Sequence, residues 1–208
     1  MKNKLVVLAI SMAMLTSCSK QVEGLVSGII NKDDNTTVNE YVKYTILKGQ
    51  QYCDKSAYTP VNYSQLSFNV KFDSSAIYKT TKESNQADIN KLFGFSDNKS
   101  QHHEYSARFG WRWSDNALRL FAYTYNNSVM SFKEIGTVKL GAENTCSIKV
   151  AGDKYIFSLN GKETTMPRAS TTPVAEGYKL WPYFGGDELA PHTISIWIKE
   201  LPQDKGSF

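Results

Sequence analysis

The sequence predicts an all-β fold, a two-sheet antiparallel β-sandwich. Polar and apolar residues alternate along "QLSFNVKFD" (65–73), where every second residue from Leu66 to Phe72 is apolar, the pattern of a strand with one buried face. Two more alternating segments follow one another in "TCSIKVAGDKYIFSLNGKE" (145–163), separated by turns that contain glycine, as in β-hairpins. The last alternating segment is "HTISIWIKEL" (192–201). Many short strands rich in aromatic residues favour two packed sheets.

The first 17 residues predict a lipoprotein signal peptide. Lys2 and Lys4 precede an apolar stretch, residues 5–15, which is too short for a stable membrane span. Residues 15–18, "LTSC", resemble the lipobox of bacterial lipoproteins, and this resemblance implies cleavage before Cys18 and acylation of that cysteine. A buried cysteine at a helix end is the alternative. We therefore expect an exported protein that is lipid-anchored to a bacterial membrane and faces the periplasm or the cell surface.

Residues 18–40 predict a lipid-anchored tether, because they are polar and lack periodicity apart from a short strand around 25–30. No second apolar segment is long enough to cross a bilayer. The expected membrane contact is therefore the lipid on Cys18 only. Residues 41–208 have the size of one sandwich domain.

One helical turn is expected in "NQADINKLFG" (85–94), with Asp88 as its cap and its end before Gly94.

The cysteines and the charge limit the function classes. In an oxidising compartment a disulfide between Cys53 and Cys146 is allowed, and two buried thiols are the alternative. Three histidines without a Cys/His cluster argue against zinc. The net charge of +4 is spread along the chain without a Lys/Arg run, so nucleic acid is not an expected partner.

The segment "SQHHEYSARFGWRW" (100–113) predicts a strand with two different faces. At period two, His102, Glu104 and Arg108 share a polar face, and Trp111 and Trp113 share an aromatic one. We expect the aromatic face to pack between the sheets. The polar face then points outward or into a groove of the sandwich.

The next segment, "ALRLFAYTY" (117–125), predicts an outward row of one guanidinium and three aromatic rings. Arg119, Tyr123 and Tyr125 lie on this row together with Phe121. Such a row suits a surface that stacks on sugar rings. The alternative is that a loop or the tether covers it.

A third candidate element is "GYKLWPYFGGDELAPH" (177–192), in which Trp181 and Tyr183 share a face with Lys179. The glycines followed by Asp187 and Glu188 give a weak calcium signal. A plain turn is the more common structure for such a segment, and no cofactor is assigned.

The hairpin and the terminal strand resemble the concanavalin A-like lectin/glucanase superfamily. The pattern V-x-x-x-x-Y-x-x-x-x-N-G-K runs from Val150 to Lys162 and precedes the long last strand. The resemblance covers most of residues 44–201 and implies a jelly-roll fold; it implies no activity, since such hairpins occur in other sandwiches. The segments "DINKLFGFSD", "SARFGWRW" and "YFGGDELAPH" also resemble a narrower group of bacterial lipoproteins.

The motifs of enzymes with this fold are missing from the chain. Glucanases of the superfamily carry a Glu-x-Asp-x-x-Glu strand, whereas Glu104 has no acidic partner two residues away. Polysaccharide lyases need an Arg or amide to neutralise a uronate carboxylate, a His or Tyr base and a Tyr acid. These residue types are present, but the Gln-Ile-His and Tyr-x-Lys-x-Gly-x-Tyr strands known in lyases are not.

The sequence therefore predicts a cell-envelope lipoprotein that binds a poly- or oligosaccharide and carries no evident catalytic motif. The alternative is a polysaccharide lyase acting on a uronate-containing glycan, with His102 or Tyr123 as base and Arg108 or Arg119 neutralising the carboxylate. A third class is an adhesive protein whose aromatic face meets another protein. The candidate ligand-binding residues are His102, Glu104, Arg108, Arg119, Tyr123, Tyr125, Trp181 and Tyr183.

Overall fold

The computed structural model describes residues 40–205. The signal peptide, Cys18 and nearly all of the predicted tether lie outside the described residues and stay predictions. No helix within the described range is long and apolar enough to cross a membrane.

The described residues form twelve β-strands and two short 3-10 helices. The strands are β1 (Val42–Ile46), β2 (Pro60–Phe72), β3 (Asn90–Ser96), β4 (Ser106–Ser114), β5 (Ala117–Asn126), β6 (Val129–Val138), β7 (Asn144–Ala151), β8 (Lys154–Leu159), β9 (Lys162–Pro167), β10 (Ala175–Leu180), β11 (Ile194–Glu200) and β12 (Asp204–Lys205). The 3-10 helices are Ser74–Ala76 and Glu83–Ala87. The predicted all-β class is confirmed.

The strands form two antiparallel layers. The groove sheet has the order β6-β5-β4-β3-β10, and the back sheet has the order β1-β11-β2-β7-β8-β9. Strand β10 links the layers because its first residues pair with β2 and its last two with β3. The predicted antiparallel two-sheet sandwich is therefore confirmed.

The core lies between the two layers and is aromatic. Phe68 of β2 packs edge-on against Phe93 of β3 and Phe109 of β4, and Phe109 packs against Phe157 of β8. All four rings are fully buried, and burying one such side chain stabilises a fold by about 1.5–3 kcal/mol. Trp111 is also fully buried, as the aromatic face of its strand predicts.

The predicted hairpins have the expected turns. Gly152 connects β7 to β8 and Gly161 follows β8, both at positive φ, a conformation that glycine adopts without steric cost. In β2, the residues from Leu66 to Phe72 alternate as predicted, with the apolar ones buried.

The expected helical turn at 85–94 is wrong. A 3-10 helix ends at Ala87, and Asp88 follows it as the C-terminal cap. Residues 90–96 form β3 instead. The cause is burial: Leu92, Phe93 and Phe95 enter the core when this segment pairs with β4, which outweighs a weak local helical preference.

The disulfide is not formed. Cys53 and Cys146 are both buried free thiols, and burial raises the pKa of each. Cys53 pairs with the outer side of β1, whereas Cys146 lies on β7. Four strand spacings along the back sheet amount to about 19 Å, far beyond the reach of a disulfide.

Candidate functional site

A groove with a volume of about 500 Å³ opens on the outer face of the groove sheet. Its aromatic lining consists of Tyr52, Tyr58, Tyr123, Tyr125, Tyr178, Tyr183 and Trp181. Its basic lining consists of Lys91, Arg108, Lys179, His102 and His103. No Asp or Glu within residues 40–205 lines it. The volume is typical of a small-molecule site.

Arg108 lies at the base of the groove. Its neighbours Ala107 and Phe109 point into the core, so the alternation of β4 turns Arg108 to the opposite face. It is 7% exposed, and its guanidinium lies 5.6 Å from the ring of Tyr123 on the adjacent strand. Among the described residues it makes no ion pair, and its Nε has no hydrogen-bond partner. Burial lowers the pKa of Arg108 to about 10, so the charge persists at neutral pH without a counter-charge.

Lys91 of β3 is a second cation in the groove. Its Nζ donates to the carbonyl of Gly185 (2.9 Å) and lies 5.4 Å from the ring of Tyr123. Burial and then the neighbouring Arg108 lower the pKa of Lys91 to about 8. Lys179 differs, because its Nζ contacts both carboxylate oxygens of Glu200 at 2.8 Å. The free positive charge of the groove therefore comes from Arg108 and Lys91.

His102 is bound to Tyr178 at the side of the groove. Its backbone N–H donates to the Tyr178 hydroxyl (3.1 Å), and its Nδ1 lies 2.9 Å from the same oxygen. Tyr178 in turn donates to Oε1 of Gln101 (3.2 Å). Burial lowers the pKa of His102 to about 4, with His103 and Arg108 adding to the effect. His102 is therefore a neutral imidazole at physiological pH.

The turn that carries His102 is fixed at its start by a buried ion pair. Asp97 directly follows β3 and is fully buried; its carboxylate accepts from Nε of Arg168 (2.8 Å) and from the hydroxyl of Tyr155 (2.7 Å). The Asp97 backbone N–H donates to the carbonyl of Tyr105, which closes the turn. This network connects the position of His102 to the core.

The outer rim of the groove consists of a loop, residues 47–59, that contributes two exposed rings. Tyr52 packs edge-on against Tyr183 with the ring centroids 5.0 Å apart. Tyr58, which is 76% exposed, lies over Tyr178 at 5.5 Å. These pairs give the groove aromatic walls on two sides.

The fold brings together six of the eight residues predicted for the site. The residues that line the groove are His102, Arg108, Tyr123, Tyr125, Trp181 and Tyr183. Trp181 is half-buried, and its Nε1 donates to the carbonyl of Ala57 (2.8 Å). Four groove residues were not predicted from the sequence: Tyr52, Tyr58, Lys91 and Tyr178. The one sequence feature that pointed to any of them is the presence of two tyrosines in the polar loop, residues 47–59.

Glu104 and Arg119 lie outside the groove lining. Strand β4 begins at Ser106, so Glu104 is in the preceding turn, where it is exposed. Arg119 points away at the other end of β5, with ion pairs of 3.0 Å to Asp115 and Glu134. The outward row of β5 is thus divided: Tyr123 and Tyr125 line the groove, whereas Phe121 is buried beneath Phe132.

The loop with the weak calcium signal is a structural connection. The Glu188 carboxylate accepts from the backbone N–H groups of Thr81 (2.8 Å) and Lys82 (2.7 Å) and from Nδ2 of Asn85 (3.0 Å). The bond from Lys82, followed by that from Thr81, lowers the pKa of Glu188. Within residues 40–205 no three His, Cys, Asp or Glu side chains group closely enough to hold a metal ion.

Comparisons with known proteins identify the fold. No protein-family model matches the sequence, and no curated protein matches it. Among solved structures, the alginate lyase AlyC3 is similar with a TM-score of 0.54 at 12% identity, over 89% of this chain and 83% of that one. The same lyase in complex with dimannuronate also has a TM-score of 0.54, at 11% identity over 90% and 84% of the two chains.

A second enzyme class has the same architecture. The laminarinase catalytic domain from Thermotoga maritima is similar with a TM-score of 0.53 at 9% identity, over 82% of this chain and 79% of that one. The chain therefore has the concanavalin A-like jelly-roll fold that its hairpin and last strand resemble. At such low identities the likeness establishes the fold alone.

Proposed function

We propose that the groove binds an acidic polysaccharide through the carboxylate of a uronate residue. The observation that carries this proposal is the state of Arg108, a buried guanidinium with no ion pair among the described residues. An uncompensated buried charge is costly. A ligand carboxylate would compensate it with two parallel hydrogen bonds, the geometry that a guanidinium favours.

The rest of the lining suits a sugar chain. Lys91 adds a second positive charge beside Arg108, and no described Asp or Glu in the lining opposes an anion. The tyrosine rings offer flat apolar faces for the C–H faces of pyranose rings, and their hydroxyl groups can exchange hydrogen bonds with sugar hydroxyls. A fold that holds dimannuronate in one alginate lyase supports this class of ligand.

The proposed location of this binding site is a bacterial envelope. A signal peptide over residues 1–17, a lipid on Cys18 and a tether over residues 18–40 would display the domain, residues 41–208, outside the cytoplasm, where polysaccharides are found.

A second candidate function is cleavage of the same ligand by β-elimination. The observation that favours it is the neutral imidazole of His102 in the groove. In the tautomer that carries its proton on Nδ1, that N–H donates to the Tyr178 hydroxyl, and the Nε2 lone pair of the neutral imidazole can then accept a proton. In this reaction the base removes the proton on the carbon next to the uronate carboxylate, and Arg108 stabilises the negative charge that develops there. The electron pair forms a carbon–carbon double bond as the glycosidic C–O bond breaks.

The departing oxygen then needs a proton from an acid. Burial, followed by the neighbouring Tyr125, raises the pKa of Tyr123. Tyr123 is therefore protonated at neutral pH and suits the role of acid better than that of base. Hydrolysis by two carboxylates does not fit this groove, because none of the described lining residues is acidic.

Calorimetric titration with uronate oligosaccharides and with a neutral glucan tests the proposal. We expect the wild type and Arg119→Met to bind the uronate ligand, and Arg108→Met to lose binding. Arg119 is the matched control, since it lies on the neighbouring strand and is paired outside the groove. Equal affinity for the neutral glucan would contradict the proposal.

The same samples decide between binding and cleavage. New ultraviolet absorbance from an unsaturated product, absent in His102→Gln, would establish elimination. Binding without any such product would leave carbohydrate binding as the function.

A further inference from the structure

A second cavity adjoins the groove. It has a volume of about 370 Å³ and is lined by residues 99–101, by Glu176 and Gly177 of β10 and by Val61 of β2. Its remaining two lining residues, Tyr58 and Tyr178, also line the groove. The two spaces therefore share this pair of residues as a common wall.

The shared wall consists of one fixed and one exposed ring. Tyr178 is fixed by its hydroxyl, which bonds to His102 and Gln101, and by its backbone N–H, which donates to Oγ of Ser96 (2.9 Å). Tyr58 lies over it with the ring planes inclined at 34° and with most of its surface open to solvent. An exposed ring between two cavities is placed to stack on a ligand that passes from one cavity to the other.

The second cavity differs from the groove in charge. Lys99 is its one cation among the described lining residues, and the Lys99 Nζ lies 3.2 Å from a Glu176 carboxylate oxygen. The charges of this pair cancel, whereas Arg108 and Lys91 leave the groove positive. Ser100 and Gln101 contribute a hydroxyl and an amide, groups that bond to sugar hydroxyls.

We propose that the second cavity is a further sugar-binding subsite of the same glycan chain, and this rests on the proposed function. A uronate residue occupies the groove at Arg108, the chain crosses Tyr58 and Tyr178, and the next residues lie between Ser100 and Val61. The cleft accepts the interior of a polymer, so affinity increases with chain length. Its charge distribution places the essential carboxylate in the groove and leaves the second subsite tolerant of a neutral sugar.

Two cavity-filling variants test this subsite from opposite walls. Ser100→Trp fills the cavity from the turn. Val61→Trp fills it from β2, where Val61 also packs against the core, so urea unfolding first establishes that this variant is folded. An effect shared by both variants cannot come from distortion of the turn alone. Ser131→Trp is the matched control, because Ser131 is exposed on β6 and lines neither cavity. The affinities of all four proteins for uronate oligomers, from disaccharide to octasaccharide, are measured by calorimetry.

We expect the wild type and Ser131→Trp to gain about tenfold in affinity between the shortest and longest oligomers, as stacking on one further ring provides. Both cavity-filling variants should bind the disaccharide like the wild type and lose that gain. If they keep the gain, or if the wild type shows none, the second subsite is overturned while binding in the groove stands. If no uronate oligomer binds to the wild type, the proposed function itself fails, and the subsite fails with it.

Discussion

Gly94 on β3 lies directly opposite Arg108 on β4, and the two strands approach so closely there that a side chain at position 94 has no room. A Cβ on Gly94 would overlap with the Cβ of Arg108 and with the carbonyl oxygen of Ala107. The strand pairing shifts register between Lys91 and Gly94, which permits this approach. The position of the buried Arg108 guanidinium thus depends on having glycine, which lacks a side chain, at position 94 of the neighbouring strand.

The first prediction follows from this contact. Gly94→Ala should lower the free energy of unfolding by about 1–3 kcal/mol, because overpacking forces the two strands apart. It should also weaken uronate binding, since Arg108 moves with the strand. Urea unfolding and calorimetry measure the two effects. Gly136→Ala is the control, as its Cβ would meet only Leu159 at an ordinary 3.9 Å; equal stability of the two variants would contradict the prediction.

Arg108 should show opposite effects on binding and on stability. Arg108→Met should abolish uronate binding and raise the free energy of unfolding by about 1–3 kcal/mol, because it replaces an unpaired buried charge with an apolar side chain of similar length. Arg119→Met should leave binding unchanged and cost at most about 1 kcal/mol, as expected for an exposed ion pair. A loss of stability in Arg108→Met would mean that the guanidinium has a compensating partner in the free protein.

The affinity for a uronate ligand should depend on pH through the ionisation of Lys91. Its pKa of about 8 means that Lys91 loses its charge as the pH rises through the range of about 7 to 9. Uronate affinity should fall over that range, because one of the two free cations of the groove is neutralised. In Lys91→Gln the affinity should be lower at neutral pH and constant over the same range. An identical pH profile in both proteins would exclude Lys91 from the ligand contacts.

The fold was largely predictable from the sequence because burial in a sandwich imposes a two-residue period. The alternation from Leu66 to Phe72 therefore indicated both a strand and its core face. Segment 90–96 was not predicted as a strand, because both of its faces are buried and its polar and apolar residues therefore do not alternate. No strand-type alternation in this segment argued against the helical turn that was expected there.

Residues of the candidate site were predictable only where they belong to a segment with a strand-like sequence pattern. Arg108 and Tyr123 were placed on outward faces by alternation, and the register of β4 and β5 brings them opposite each other. Tyr58 and Tyr178 become neighbours through pairing between strands distant in sequence, which no local pattern encodes. Arg119 was misplaced because its ion pair with Glu134 depends on the register of β6.

The buried ion pair of Asp97 and Arg168 should be essential to the turn that carries His102. Asp97→Asn leaves a buried guanidinium without its counter-charge, which typically costs about 3–5 kcal/mol. Asp54→Asn is the control, because the Asp54–Lys55 ion pair is exposed and should contribute at most about 1 kcal/mol. Urea unfolding gives both values; similar losses in the two variants would show that burial does not determine the strength of the inner pair.

His102 should make the fold less stable in mild acid. Burial holds its pKa in the folded protein at about 4, whereas an unfolded histidine titrates near 6.5. As the pH falls from about 6.5 towards 4, the unfolded chain therefore takes up a proton at this residue that the folded protein does not. Unfolding is favoured over this window, and the contribution becomes constant once the pH lies below the folded pKa.

The test compares the wild type with His102→Gln by urea unfolding at several pH values across the window. Both proteins share the effects of all other groups, so the difference in their free energies of unfolding isolates His102. We expect the free energy of unfolding of His102→Gln to increase relative to that of the wild type as the pH falls through this window. Above pH 7 the difference should be constant. Parallel curves would mean that His102 is already accessible to protons in the folded state, and would remove the argument for a neutral imidazole base in the groove.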